Sequence, residues 1–328
     1  MNAKIRIGIA GYGNLGKGVE LALSQNPDME LVAVFSRRDP ASLSLQTAGI
    51  PVYALDTIEQ HKETIDVLIL CGGSKDDLPH QGPHLAQWFN TVDSFDTHAA
   101  IPDYFAAVDA VAQQTQHTNI IAVGWDPGLF SINRLMGECV LPQGQTYTFW
   151  GKGLSQGHSD AVRRVDGVKA GVQYTLPIEE AVNRVRNGEM PELSTREKHR
   201  RECFVVLEEG ADADQVKEAI VTMPNYFADY DTTVHFITME ELERNHSAMP
   251  HGGFVIRSGH SATHTKQTVE YALNLGSNPE FTSSVLVAYA RAAYRLAQQQ
   301  QYGAKTVFDI APGLLSPKSP ADLRKALL

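Results

Sequence analysis

The sequence predicts an α/β fold: a doubly wound parallel sheet, with a second α+β domain built on a mixed or antiparallel sheet. Three observations carry this. The run Ile5-Arg6-Ile7-Gly8-Ile9-Ala10 reads as a short buried strand. It passes directly into Gly11-Tyr12-Gly13-Asn14-Leu15-Gly16, whose glycines have G-x-G-x-x-G spacing, and Leu15, Val19, Ala22 and Leu23 then recur at helical intervals. Strand and helix patterns alternate from residue 3 to about 124, as in a Rossmann-type sheet, and the alternation then breaks down.

In the glycine motif, Gly11 permits the tight turn, Gly13 lets backbone approach a pyrophosphate, and Gly16 lets helix pack on strand. The helix N-terminus offers N–H groups to the phosphates. An ordinary glycine turn is the plainer alternative. The second strand, Leu31-Val32-Ala33-Val34-Phe35, ends in Ser36-Arg37-Arg38. NAD-preferring folds usually place an acid here, whereas an Arg pair suits the 2′-phosphate of NADP. Asp66–Cys71 reads as another buried strand, followed by Gly72-Gly73-Ser74, small residues that let a cofactor lie close. A helix is expected over Pro79–Phe89. The strand Thr91–Asp93 exits into Ser94-Phe95-Asp96-Thr97-His98, and a helix follows from Pro102 to about Gln114. The strand Asn119–Val123 exits into Gly124-Trp125-Asp126-Pro127-Gly128. Ligands of open α/β sheets bind beyond the carboxyl ends of the strands. Asp96 and Asp126 there suit an ammonium group, and either can accept its proton once partly desolvated. A helix N-cap is the plainer role for each.

Beyond residue 125, strands are expected over 146–150, 171–175, 202–207, 231–238, 253–258 and 265–273, with helices over 178–186 and 214–221. The stretch Phe149–Ser159 is rich in glycine and polar groups and reads as a loop. Its N–H groups and the Gln156 amide suit a carboxylate, with Trp150 as a wall or a plain core residue. Alternation points Arg201 and Cys203 to the face opposite Glu202, and an Arg on the inner face of a half-buried strand needs an anionic partner. Met249-Pro250-His251-Gly252-Gly253 reads as an unusual turn whose His suits an anion. Residues 281–301 form a long amphipathic helix expected to return and pack on the first domain.

The bounds agree with a soluble globular protein. The 328 residues suit two domains: a dinucleotide-binding domain over 1–124, joined by C-terminal helices at about 279–328, and a second, substrate-binding domain over 125–278. Hydrophobic content is 43%, charged content 20%, and no apolar run approaches the ~20 residues that span a bilayer. Met1–Lys4 leads straight into the first strand, so no signal peptide is expected. Cys71, Cys139 and Cys203 are too few and too scattered for a disulfide framework or zinc cluster, and a reducing cytoplasm is the simplest setting. A net charge of −10 disfavours nucleic acid and anionic membranes. No His pair has metal spacing and no Ser-nucleophile elbow is present, so no metal is expected.

The chain resembles the bacterial meso-diaminopimelate dehydrogenase family over essentially its whole length. The match is carried by GYGNLG (11–16), FSRR (35–38), GWDPGLFSINR (124–134), FWGKGLSQGHSDAVRR (149–164), VQYTLP (172–177), CFVV (203–206), MPHGG (249–253) and NPEFT (278–282). The resemblance implies NADP-dependent, reversible oxidative deamination of meso-2,6-diaminopimelate at its D-centre, in lysine and diaminopimelate biosynthesis. The product is L-2-amino-6-oxopimelate, which cyclises to tetrahydrodipicolinate, with ammonia. It places cofactor contacts on Tyr12 to Leu15, Ser36 to Arg38, Cys71 to Ser74, Ser94 to Asp96 and Val123 to Pro127. Substrate contacts fall on Asp96, Asp126, Trp150, Gln156, Gly157, Thr175, Arg201, His251 and Asn278, with Thr175 and Asn278 resting on the resemblance alone. It further implies a homodimer joined through the second domain. Two alternatives are a non-catalytic NADP-binding sensor and a dehydrogenase of other D-amino acids.

Overall fold

The computed structural model describes residues 3–328. The chain runs β1 (Ile5–Ala10), α1 (Asn14–Ser24), β2 (Met29–Ser36), β3 (Val52–Ala54), β4 (Val67–Leu70), α2 (Leu78–Leu85), β5 (Thr91–Asp93), α3 (Ile101–Thr115), β6 (Thr118–Ile120) and α4 (Leu129–Val140). Then come β7 (Gly144–Trp150), β8 (Gly153–Leu154), α5 (Gln156–Arg163), β9 (Val168–Pro177), α6 (Glu179–Arg186), α7 (Thr195–Lys198), β10 (His199–Leu207) and α8 (Ala213–Val221). The last elements are β11 (Asp231–Phe236), α9 (Met239–His246), β12 (His251–His260), β13 (Lys266–Leu275), α10 (Asn278–Gln298), β14 (Gly303–Lys305) and α11 (Pro320–Leu327). No helix among the described residues is long and apolar enough to cross a membrane. Residues up to Ile132 and from Pro279 onward form one compact unit, and Asn133–Asn278 form another.

The first unit is built on seven parallel strands in the order β14-β6-β5-β4-β1-β2-β3. Strand order reverses between β1 and β4, which opens a crevice at their carboxyl ends. One face buries Ile7, Ile9 and Ile69 against Leu286, Tyr289 and Ala293 of α10. The other buries Phe35, Leu68 and Leu70 against Leu78 of α2 and Tyr104 and Val108 of α3. Full burial of each Ile or Leu side chain contributes roughly 1.5–3 kcal/mol. The long C-terminal helix thus packs on the first sheet, as its amphipathic pattern predicts. Arg291, 1% exposed, fixes it there, with Nε 2.6 Å from Asp28 Oδ2 and Nη1 donating to the Leu315 carbonyl. The guanidinium holds the Asp28 carboxyl below its usual range.

The second unit holds two sheets. One is four-stranded, β11-β10-β9-β8, mixed because only β10 and β11 run parallel. The other, β13-β12-β7, is antiparallel. Met249–Gly253 is not the turn the sequence suggested. His251 begins β12, where Gly252 and Gly253 sit at φ +146° and +147°. A Cβ on Gly252 would lie 2.1 Å from the Leu273 carbonyl oxygen, and one on Gly253 2.1 Å from that of Phe149. These glycines serve close strand packing. Nor is the stretch after Ser155 a loop: α5 starts at Gln156, with Ser155 Oγ accepting the His158 N–H.

Candidate functional site

The glycine motif folds as its spacing requires. Gly11 has φ +97°, and a Cβ on Gly16 would stand 2.2 Å from the Gly11 carbonyl oxygen, so only glycine lets α1 start this close to β1. Gly13 caps α1 without a side-chain bond, and a Cβ there would meet nothing within 4 Å. The turn into α1 is therefore open at Gly13. The cleft above it measures about 430 Å³ and is lined by Gly13, Asn14, Ser36, Arg37, Arg38 and Gly73, among others. Leu15 is half-buried and packs on the core below. Tyr12 is buried, and its hydroxyl donates to Glu20, whose Oε1 accepts the Thr47 N–H at 2.5 Å. Burial and the Glu20 carboxylate push the Tyr12 phenol pKa up. This residue offers the cleft its backbone.

At the β2 exit, Arg38 donates to the Tyr12 carbonyl and its N–H to Ser36 Oγ at 3.0 Å. Arg37 reaches across to Asp77. In the next loop the Cys71 N–H donates to the Ala10 carbonyl at 2.7 Å, and burial raises its thiol pKa, so this cysteine is a packing group. Gly72 leaves no room for a side chain, since a Cβ there would lie 2.6 Å from Gln81 Oε1. Ser74 Oγ accepts the Asp96 N–H at 2.8 Å and the Thr97 N–H at 3.2 Å, joining the β4 and β5 exits.

Asp96 and Asp126 follow β5 and β6, which are paired neighbours in the sheet. Asp96 is exposed, Asp126 half-buried. Beneath both lies Asp93, 1% exposed, which accepts the Phe95 N–H at 2.9 Å, the Ala122 N–H at 3.2 Å and the Tyr104 hydroxyl at 2.7 Å. Burial pushes its carboxyl up to about 6. Phe95 stacks on Tyr104 at 4.2 Å, so its ring belongs to the core, flanked by half-buried Ser94. The sixth strand is shorter than its apolar run suggests, ending at Ile120, because Ala122 turns to φ +56°. Val123 still donates to the Asp93 carbonyl at 2.9 Å. In the turn after it, Gly124 to Gly128, a Cβ on Gly128 would lie 1.8 Å from the Gly124 oxygen. Trp125 packs edge-on to Phe130. Helix α4 begins at Leu129, two residues past Pro127, and its first N–H groups donate to the carbonyls of Gly124 and Trp125.

In the second unit Arg201 is 6% exposed and Cys203 fully buried on the same face of β10. Arg201 Nη1 donates to Thr175 Oγ1 on β9, Nη2 to His158 Nε2 at 3.3 Å, and the guanidinium lies 3.9 Å over the Tyr230 ring. Its Nε has no hydrogen-bond partner, and among the described residues no carboxylate lies within ion-pairing distance of it. Burial and Arg201 push His158 down to about 4, and burial with the charges of Arg201 and Lys198 pushes His199 down to about 3. Both imidazoles are neutral, leaving Arg201 the charge of this pocket. His199 Nε2 accepts the Trp150 N–H at 2.8 Å, and its ring stacks on the indole at 5.3 Å. Gln156 Nε2 donates to Met249 Sδ at 3.4 Å, the Asn278 N–H donates to the Met249 carbonyl at 2.9 Å, and Gly157 opens on free space. His251 Nδ1 accepts the Gly252 N–H at 2.8 Å and borders a cavity of about 650 Å³. Its ring packs against Gly153, which pairs with Thr175 and so links His251 to Arg201.

Sequence reasoning passed over Lys17 and Asp77 in the cleft wall, Asp93 beneath the acidic loops, and His158, His199 and Tyr230 around Arg201. Lys17 carried a signal, being the first basic residue after the glycine motif. The neutral imidazoles carried none.

Residues 124–277 match the family model described as Diaminopimelic acid dehydrogenase C-terminal domain. A meso-diaminopimelate D-dehydrogenase of Ureibacillus thermosphaericus is 70% identical over 99% of this chain and 100% of its own. Among solved structures, a multiply substituted Clostridium tetani meso-diaminopimelate dehydrogenase with diaminopimelate is 55% identical, with a TM-score of 0.93 over 99% of this chain and 100% of that one. An engineered D-amino acid dehydrogenase bound to NADP+ is 43% identical, with a TM-score of 0.86 over the same shares. On full-length identity of this order, the chain belongs to the meso-diaminopimelate D-dehydrogenase family, oxidoreductases acting on CH–NH2 donors.

Proposed function

We propose that this chain catalyses the NADP-dependent, reversible oxidative deamination of meso-2,6-diaminopimelate at its D-centre, giving L-2-amino-6-oxopimelate and ammonia in lysine and diaminopimelate biosynthesis. The observation that supports it most is Arg201, a buried cation with no carboxylate of its own and a ring of neutral partners. Burying an unpaired charge is costly unless a ligand completes it, and a substrate carboxylate does so bidentately. Trp150, Gln156, Gly157, Thr175, His251 and Asn278 complete the contacts to the substrate.

The first unit fits NADP. The open Gly13 turn takes the pyrophosphate, and Arg37 and Arg38 stand at the β2 exit with no acid in the ribose-reading place. The remaining contacts are the backbone of Gly11 to Gly16, Ser36, Cys71 to Ser74, Ser94 to Asp96 and Val123 to Pro127. When bound, the cofactor accepts hydride from the substrate carbon. The protein positions the reacting carbon and removes the ammonium proton. Asp126 is assigned as base and Asp96 as the group that orients the same ammonium. Water then adds to the substrate iminium and ammonia leaves. Residues 1–124 with 279–328 carry the cofactor and 125–278 the substrate and a homodimer interface, and the enzyme works in the cytoplasm.

Initial rates of NADP+ reduction with the three diaminopimelate isomers test the reading. Turnover is expected with the meso isomer and none with the L,L isomer, which lacks a D-centre. Absence of turnover with meso-diaminopimelate, or equal rates with L,L, would overturn it and favour another D-amino acid or a non-catalytic sensor.

A further inference from the structure

Asp77 stands just before α2, and its carboxylate grips two parts of the cleft wall at once. Oδ1 accepts from Arg37 Nη1 at 2.7 Å and Oδ2 from Arg37 Nη2 at 3.0 Å, a fork that uses both oxygens. Oδ2 also accepts the Gly73 N–H at 2.8 Å, which ties the acid to the loop after β4. The two partners differ in freedom: the Asp77 side chain is 15% exposed, whereas that of Arg37 is 69% exposed. The carboxylate is the more buried member, tied to the loop, and the guanidinium the solvent-facing one. An acid so placed is the wrong charge beside a phosphate, and Lys17, Arg37 and Arg38 are the cations of the same cleft wall.

We propose that Asp77 is a specificity-determining residue: its carboxylate competes with the cofactor's 2′-phosphate for Arg37, and the outcome sets how strongly NADP is preferred over NAD. This rests on the NADP reading above. A 2′-phosphate offers up to about two negative charges and three acceptor oxygens, enough to draw an exposed guanidinium from a carboxylate. The neutral 2′-hydroxyl of NAD leaves Arg37 on Asp77. NADP therefore binds against the loss of an ion pair that NAD leaves intact, and Asp77 restrains the preference while Arg38, held on the Tyr12 carbonyl, supplies the constant part.

The test is a thermodynamic cycle on the intact enzyme, with Kd measured by titrating NADP+ and NAD+ against wild type, Asp77→Asn, Arg37→Ala and the double variant. Asn keeps an oxygen for the Gly73 N–H and removes only the charge. Asp77→Asn is expected to tighten NADP+ about two- to fivefold, the scale of one exposed ion pair, and to leave NAD+ essentially unchanged. In the Arg37→Ala background the same change should leave NADP+ binding unaltered. Unchanged or weaker NADP+ binding in Asp77→Asn, equal shifts for both cofactors, or an undiminished effect without Arg37 would each overturn the proposal. Failure of the underlying reading looks different: Arg37→Ala combined with Arg38→Ala would then leave the NADP preference at its wild-type value.

Discussion

At Arg201 a cation is buried among groups that cannot neutralise it, whereas Asp126 is a half-buried acid on a strand exit. Their substitutions should separate binding from chemistry. Arg201→Met should raise the KM for meso-diaminopimelate by about a hundredfold or more, since charge-assisted bonds contribute roughly 1.5–3 kcal/mol each, with NADP+ affinity unchanged. A purely structural Arg would instead show a lowered melting temperature and a normal KM. Asp126→Asn should cut kcat by about two to four orders of magnitude in a stably folded enzyme and flatten the acidic limb of the pH–rate profile. Near-normal turnover would move the base to Asp96 or a bound water. The inner-face Arg is legible because strand alternation is local: Arg201 and Cys203 share a face that excludes Glu202. The neutral His158 and His199 are not, because the Arg201 charge reaches His158 from 43 residues away and His199 is buried against Trp150, 49 residues away. The Asp77–Arg37 fork likewise joins residues forty apart.

Elements were read best where a few neighbouring residues decide them. The turn from β1 into α1 is one such place: three glycines and an apolar run specify both geometry and use. Gly16→Ala would push a methyl into the Gly11 carbonyl and force α1 outward. The expected result is a loss of roughly 1–3 kcal/mol in stability, read by thermal unfolding, and NADP+ affinity at least about tenfold weaker by titration. Elements set by distant partners were missed. The three-residue strands β3 and β14 have too little pattern of their own and form by pairing with β2 and β6. The start of α5 read as a loop because Gly151, Gly153 and Gly157 crowd the same stretch, although only Gly157 lies within the helix. In β12 the paired glycines suggested a turn, where their real office is to let three strands approach.

Over the whole molecule, acid should act on the two units in opposite directions. His158 and His199 have folded-state pKa values of about 4 and about 3, below the ordinary 6.5. The unfolded chain therefore binds more protons below pH 6.5, and the second unit loses stability as pH falls from there, by about 2 kcal/mol per histidine at pH 5. Asp93 is the reverse, raised from 3.8 to about 6. Its folded form holds the extra proton, so the first unit gains about 1 kcal/mol between pH 7 and pH 5. Hydrogen exchange at the two pH values checks this: protection in β9 and β10 should fall at pH 5 while that in β4 and β5 holds. Uniform loss across both units would refute it. The order in which the ribosome makes these units matters as well. The face of the first sheet that α10 covers stays open until residue 298 has been synthesised, because the entire second unit is translated in between. For about half the chain's synthesis the nascent protein carries a sheet that lacks β14, with one apolar side covered only by α1, Ile7, Ile9 and Ile69 among it. A chaperone that holds exposed aliphatic surface would engage during that interval, and release would coincide with the arrival of α10 and the strand behind it.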